Sequence, residues 1–156
     1  MSTIALEHPD QPDVHRLIEA LDNYQRPLYP AASHHGIPMS ALAQPHVLFA
    51  VLRTDTGQAI GCGAVVLNPS TGPVAYGEIK RMFVQPWHRG QGLARQLCEF
   101  LEAQAIARGC PELALETGIY QSEALALYAR AGFEPCEPFG DYQPDPLSVF
   151  MRKRLA

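Results

Sequence analysis

Paired metal or disulfide spacings are missing from this chain. Its four cysteines, Cys62, Cys98, Cys110 and Cys136, form no C-x-x-C and no other paired pattern. Scattered thiols of this kind argue against a disulfide or zinc framework and read as reduced, mostly buried side chains. The six histidines are equally dispersed. His34-His35 is the one adjacent pair, and neighbours on an extended loop point opposite ways. No metal is expected. No apolar run is long enough to span a bilayer. Met1-Ser-Thr-Ile lacks a basic stretch followed by an apolar core, so no export signal is expected and the cytoplasm is the expected location. Charge is sparse as well, at 18% of residues, with 12 basic against 16 acidic side chains and a net charge of −4. That balance argues against a broad nucleic-acid footprint. With 47% apolar residues, the 156-residue chain has the length and composition of one ordinary globular domain, residues 1–156.

The pattern along the chain alternates between strands and helices. Ile4 to Leu6 reads as a first strand. Val14, Leu17, Ile18 and Leu21 then follow the i, i+3, i+4, i+7 spacing of one buried helical face, with Pro12 in its first turn. Pro27, Pro30 and Pro38 break the segment from Arg26 to Ser40, which also carries Tyr29, His34, His35 and Gly36. It reads either as a cover over a substrate or as a surface connection. His46 to Leu52, Ala59 to Leu67 and Val74 to Val84 are strands, and Asp55-Thr-Gly57 is a hairpin turn. Together with the first strand they form an antiparallel meander. Gly61 and Gly63 signal a bulge or a close backbone approach. A helix from Gly90 to Arg108 buries Leu93, Leu97, Phe100, Leu101 and Ala105. Gly109 stops it, and Leu113 to Leu115 follows as a buried strand, which suggests a right-handed crossover. A last helix spans Ser122 to Ala131. Phe133 to Cys136 and Leu147 to Arg152 close the fold.

The most informative stretch is Val84-Gln-Pro-Trp-His-Arg-Gly-Gln-Gly-Leu-Ala94. A strand runs into a basic, glycine-rich turn that opens a helix. Glycine lets a phosphate approach the backbone, and the free N–H groups of a helix start attract anions. It is not the Walker pattern, because no Gly-Lys-Ser/Thr follows, and its glycine spacing is not that of a dinucleotide fingerprint.

The spacing Arg89-x-x-Gly92-x-Ala94 resembles the acyl-CoA pyrophosphate signature of the GNAT superfamily of N-acetyltransferases. A second passage, Leu115-Glu-Thr117, Gln121 and Ala124-Leu-Ala-Leu-Tyr-Ala-Arg-Ala-Gly-Phe133, resembles the C-terminal GNAT signature, a strand followed by A-x-x-L-Y-x-x-x-G-F. The two occur in the right order, one helix and one strand apart. Phe139-Gly-Asp-Tyr142 and Asp145-Pro-Leu-Ser-Val149 look like a bacterial subgroup whose acceptors are mostly unassigned. The resemblance implies an α+β domain, with a splayed mixed sheet of six to seven strands flanked by helices on both faces. It also implies an acetyltransferase that takes acetyl-CoA as cosubstrate, with a pantetheine arm lying in the gap. That arm would meet Met82, Phe83, Val84 and Gln121, and the pyrophosphate would sit on Arg89, Gly90, Gln91, Gly92, Leu93, Ala94 and Arg95. Gln121 stands where many relatives carry asparagine. A homodimer is a further possibility that the superfamily raises.

Acyl transfer to an amine needs a base, an oxyanion donor and a proton for the departing thiolate. Tyr128, at the superfamily tyrosine position, reads as the general acid or as a core tyrosine. A phenol near pKa ~10 gives little driving force toward a thiolate near ~8.5, so its hydrogen bond matters more than full transfer. Glu78 reads as the base or as one half of an ion pair with Lys80. Even spacing on a regular strand would put Glu78, Lys80, Met82 and Val84 on one face. Glu116, following the next strand, reads as an alternative base, an acceptor-binding carboxylate or a turn-stabilising group. Tyr29, Arg81 and Tyr142, with Lys80 and Asp141, are candidates for selecting the acceptor. The leading expectation is transfer of an acetyl group to a primary amine of a small molecule, by direct attack in a ternary complex. The alternatives are a non-catalytic acyl-CoA-binding regulatory module and a protein lysine or N-terminal acetyltransferase.

Overall fold

The structure, a computed structural model, describes residues 2–30 and 37–155. His34, His35 and Gly36 lie outside the described residues. Seven strands form one sheet in the order β1-β2-β3-β4-β5-β7-β6. They are β1 (Thr3–Leu6), β2 (Val47–Arg53), β3 (Ala59–Asn68), β4 (Tyr76–Val84), β5 (Glu112–Gly118), β6 (Glu134–Pro135) and β7 (Ser148–Arg154). The helices are α1 (Pro12–Gln25), α2 (Met39–Leu42), α3 (Leu93–Ala107) and α4 (Ser122–Arg130). β1 to β4 form the antiparallel meander. The β4-α3-β5 crossover makes the parallel pair, and β7 then runs antiparallel to β5.

Each face of the sheet buries its own core. Val14, Leu17 and Leu21 of α1 pack with Leu42, Phe49, Val51, Cys62, Ala64 and Phe83 on one side. Leu97, Cys98, Leu101 and Ala105 of α3 pack with Tyr128 of α4 and with Val65, Ile79, Leu113 and Leu115 on the other. The helical spacing read from the sequence thus picks out most of the buried stripes, with Ile18, Ala124, Leu127 and Ala131 only half-buried at their edges. Cys98 joins that of α3, while Phe100 is only half-buried.

Some boundaries differ from expectation. α3 begins at Leu93 rather than Gly90, because Gly90 and Gly92 both hold left-handed backbone, at φ 80° and 75°. β5 runs on to Gly118, so Glu116 lies within the strand and not after it. α2, one turn after Pro38, was not expected.

The largest departure is in β4. Cys62 pairs with Phe83 but Ala64 pairs with Lys80, so Gly63 alone faces Arg81 and Met82. One extra residue in β4 makes a β-bulge, and Arg81 takes a positive φ of 59° there. The bulge breaks the alternation. Lys80 and Phe83 share the α1 face with Ala64 and Cys62, whereas Met82 packs toward the α3 face. The expectation that Glu78, Lys80, Met82 and Val84 share one face is therefore wrong. Gly63 permits the arrangement, because a Cβ there would meet the Met82 sulfur and stand 3.0 Å from Leu101 Cδ1.

β4 and β5 pair through only three residues, Gly77, Glu78 and Ile79 against Leu113, Ala114 and Leu115. Beyond them the two strands part, and the sheet is splayed where the sequence motifs converge.

Candidate active site

Two hollows meet in that gap. The larger, about 630 Å³, runs between the α3 start, the end of β4 and the exposed side of α4. Met82, Phe83, Val84, Arg89, Gly90, Gly92, Leu93, Ala94, Arg95 and Gln121, all singled out in the sequence, line it. Gln91, exposed in the same turn, does not. The smaller hollow, about 110 Å³, is lined by Glu78, Lys80, Arg81, Glu116 and Tyr29, together with Leu115, Thr117 and Leu147. Met82, Gln121, Ala124 and Tyr128 border both, as does Leu21.

The turn from Arg89 to Gly92 has the features of a phosphate cradle. Nothing lies within 4 Å of a Cβ built on Gly90 or Gly92, so the backbone is open to a ligand. No side chain among the described residues caps the start of α3. Its first N–H groups are thus left without an intrahelical partner. Arg89 folds back into the groove. Its Nε donates to the Val84 carbonyl at 2.9 Å, and its guanidinium lies 5.6 Å from the ring centres of both Tyr24 and Phe83.

Tyr128 is buried at the junction, 5% exposed, with its ring edge-on to Phe133. Burial raises its pKa well above the ordinary phenol range. The hydroxyl therefore stays protonated at any physiological pH.

Glu78 is held from one side. Tyr142 donates to its Oε2 at 2.5 Å, and Lys80 Nζ lies 3.2 Å from the same oxygen. Lys80 also donates to the Tyr142 hydroxyl at 2.9 Å. Oε1 has no partner among the described residues. The Glu78–Lys80 pair anticipated in the sequence exists, and it leaves one carboxylate oxygen uncommitted. Tyr142 stands behind Glu78 rather than on the hollow's lining. Burial, and then its bond to Glu78, raises its pKa.

The other candidates are also braced. Ser148 Oγ donates to Glu116 Oε2 at 2.8 Å. Arg81 donates to Asp22 Oδ1 at 2.5 Å and to the Ile37 carbonyl at 3.2 Å, while its Nε is buried without a partner among the described residues. The Tyr29 hydroxyl accepts from the Tyr120 N–H at 3.1 Å and lies 3.4 Å from Gln121 Oε1, and the two tyrosine rings stack. Gln121 Oε1 accepts from the Gly118 N–H at 3.1 Å. Asp141 is exposed. Asp22 is an ordinary polar-face residue in the sequence until the fold brings Arg81 to it, and the passage Asp145 to Val149, although singled out, does not by itself pair Ser148 with Glu116.

A sequence profile described as the Acetyltransferase (GNAT) family matches residues 12–133. The chain belongs to this family of acyl-CoA N-acetyltransferases. It is 49% identical over 153 residues to an "IAA acetyltransferase" of Azospirillum brasilense, covering 98% of this chain and 97% of the relative. A Klebsiella pneumoniae protein of known crystal structure is 42% identical, with a TM-score of 0.83 over 100% of this chain and 99% of that one. The fold recurs at 19% identity and a TM-score of 0.72 in YncA of Salmonella typhimurium, whose structure holds acetyl-CoA and which matches over 100% of this chain and 95% of its own. The sheet of this family member is mixed and splayed, with helices on both faces.

Proposed function

We propose that this GNAT enzyme moves an acetyl group from acetyl-CoA to a primary amine of a small molecule. The observation that carries the reading is the meeting of a long groove, opening on a phosphate cradle, with a small polar hollow, at Tyr128 and Met82. The groove suits an extended acyl-CoA; the hollow, about 110 Å³, suits one amine-bearing head group.

The amine nitrogen attacks the acyl carbon and the carbon–sulfur bond breaks. Glu78 Oε1 takes the proton that nitrogen loses, directly or through water, while Lys80 and Tyr142 keep the carboxylate oriented from Oε2. Backbone N–H groups near Val84 stabilise the charge on the acyl oxygen. Tyr128 donates a hydrogen bond to the departing sulfur, and the second proton that the acceptor nitrogen sheds on becoming an amide ends on that thiolate. Glu116, on the opposite strand, holds the incoming ammonium before deprotonation. No cysteine is suited to a covalent route: none lines either hollow, and burial raises all four thiols, Cys62 up to about 12 and Cys98 up to about 11.

The test is thiol release from acetyl-CoA over a panel of amines, amino acids, polyamines, aminoglycosides and peptides, plus the compound for which the Azospirillum relative is named. Turnover with at least one small amine supports the reading. Tight acetyl-CoA binding without turnover on any acceptor points instead to a regulatory module, and turnover confined to peptides to a protein acetyltransferase.

A further inference from the structure

Arg81 is the one non-glycine position with left-handed backbone among the described residues, at φ 59°. Strain of this kind concentrates where a ligand is held. The bulge also has a directional consequence. On an unbroken strand Lys80 and Arg81 would point to opposite faces. Here Lys80 keeps the α1 face with Ala64, and Arg81 reaches Asp22 of α1 on that same side. Re-aiming a side chain is what a bulge does. Both cations border the smaller hollow, as do Glu78 and Glu116. Two positive and two negative side chains thus line it among the described residues. That balance matches a zwitterion, and the several charges of a polyamine or aminoglycoside would meet the two cations unfavourably.

The Arg81 guanidinium uses one edge and leaves the other. Nη1 donates to Asp22 at 2.5 Å. On the opposite edge, Nη2 makes a 3.2 Å bond to the Ile37 carbonyl, and Nε is buried with no partner among the described residues. Nε and Nη2 are a parallel pair of donors that a carboxylate takes with both its oxygens. The side chain is only 11% exposed, so its unmet donor carries a cost that a ligand can remove. Ile37 itself lines the hollow. A carboxylate entering there displaces one neutral carbonyl and leaves Asp22 in place.

We propose that Arg81 is the carboxylate receptor of the acceptor hollow, so that the acceptor is a free amino acid. Its carboxylate takes the Nε and Nη2 edge, and its amine turns toward Glu78 Oε1. The proposal rests on the acetyl-transfer reading above and names the acceptor class for it. Arg81 lies three positions beyond Glu78 on β4, roughly 10 Å along the strand, a span that two long side chains close on one small molecule. Lys80 stays with Glu78 and Tyr142.

The experiment measures thiol release from acetyl-CoA with matched acceptors that differ in the carboxylate alone. These are amino acids of graded length, their primary amides and the corresponding decarboxylated amines, each with the wild type, Arg81→Gln and Arg81→Lys. The wild type should use at least one amino acid with a kcat/KM about tenfold or more above that of its amide and its decarboxylated amine. Arg81→Gln should lose that advantage, chiefly through a raised KM for the amino acid. Arg81→Lys keeps the charge without the fork and should retain only part of it. The comparison within the wild type decides the matter even where a variant fails to fold. Equal use of amides or decarboxylated amines by the wild type, or an advantage that survives in Arg81→Gln, overturns the carboxylate site and leaves the acetyl-transfer reading intact. Absence of turnover with every acceptor overturns both.

Discussion

Arg89 Nε donates to the carbonyl oxygen of Val84 at 2.9 Å, so the first basic residue of the glycine-rich turn lies in the groove it borders. Tyr24 and Phe83 flank its guanidinium. A charged group held on a neutral carbonyl can exchange that partner for a phosphate, which makes the stronger bond. Arg89→Gln should therefore weaken acetyl-CoA binding by about ten- to a hundredfold. Its melting temperature should stay close to wild type, since Arg89 is exposed. Calorimetric titration and thermal melting check the two halves.

Tyr128→Phe tests the acid. The ring fills the same space in the α3-side core, so folding and acetyl-CoA affinity should persist. Turnover should fall by about a hundredfold or more. Because burial raises the hydroxyl's pKa, the wild-type rate should not fall below pH ~10 through loss of this proton. The stability linkage has the matching sign. A folded-state pKa above the unfolded value gives stability that is fully present below pH ~10 and declines as pH rises further. Rate and urea-midpoint profiles against pH report both.

Glu78 and Tyr142 should differ in the size of their effects. Glu78→Gln removes the basic oxygen facing the hollow and should lower kcat/KM by about a hundredfold or more. Tyr142→Phe removes one of two groups holding Oε2, and a loss of about tenfold is expected. Both should leave the acetyl-CoA dissociation constant unchanged. Steady-state kinetics with the acceptor found in the panel decide the order.

Gly118 has no side chain where the Tyr29 hydroxyl lies, and a Cβ there would collide with that hydroxyl and ring. Gly118→Ala should displace Tyr29 from the Tyr120 N–H and reshape the wall of the acceptor hollow. The acceptor KM should rise while acetyl-CoA binding holds. An unchanged acceptor KM would remove Tyr29 from the acceptor site.

Much of this was readable in the sequence because it is local. The stripe Leu93, Leu97, Leu101, Ala105 needs only helical periodicity, and the meander needs only apolar runs and turns. Gly63 was recognised as a place of bulge or close approach. Which residues of β4 then change face was not legible, because the extra residue is defined by pairing with β3. The same limit hid how the candidate site is braced. Tyr142 meets Glu78 across 64 residues and Ser148 meets Glu116 across 32, so no local pattern records either bond. The candidate phosphate cradle lies on one contiguous turn and is legible as a motif. Glu78, Lys80, Arg81, Glu116 and Tyr29, which line the smaller hollow, are named from the sequence too. Their convergence and their distant partners depend on β4, β5 and the segments around Tyr29 and Tyr142 being brought together.

The central claim is that the turn from Arg89 to Arg95 grips acetyl-CoA. Gly92→Asp tests it most directly, because it puts a carboxylate and a Cβ at a left-handed position on the floor of the cradle. Calorimetric titration of acetyl-CoA should give saturable binding to the wild type and none measurable to Gly92→Asp, with circular dichroism confirming that the variant is folded. A folded Gly92→Asp that binds acetyl-CoA as tightly as the wild type would contradict the account.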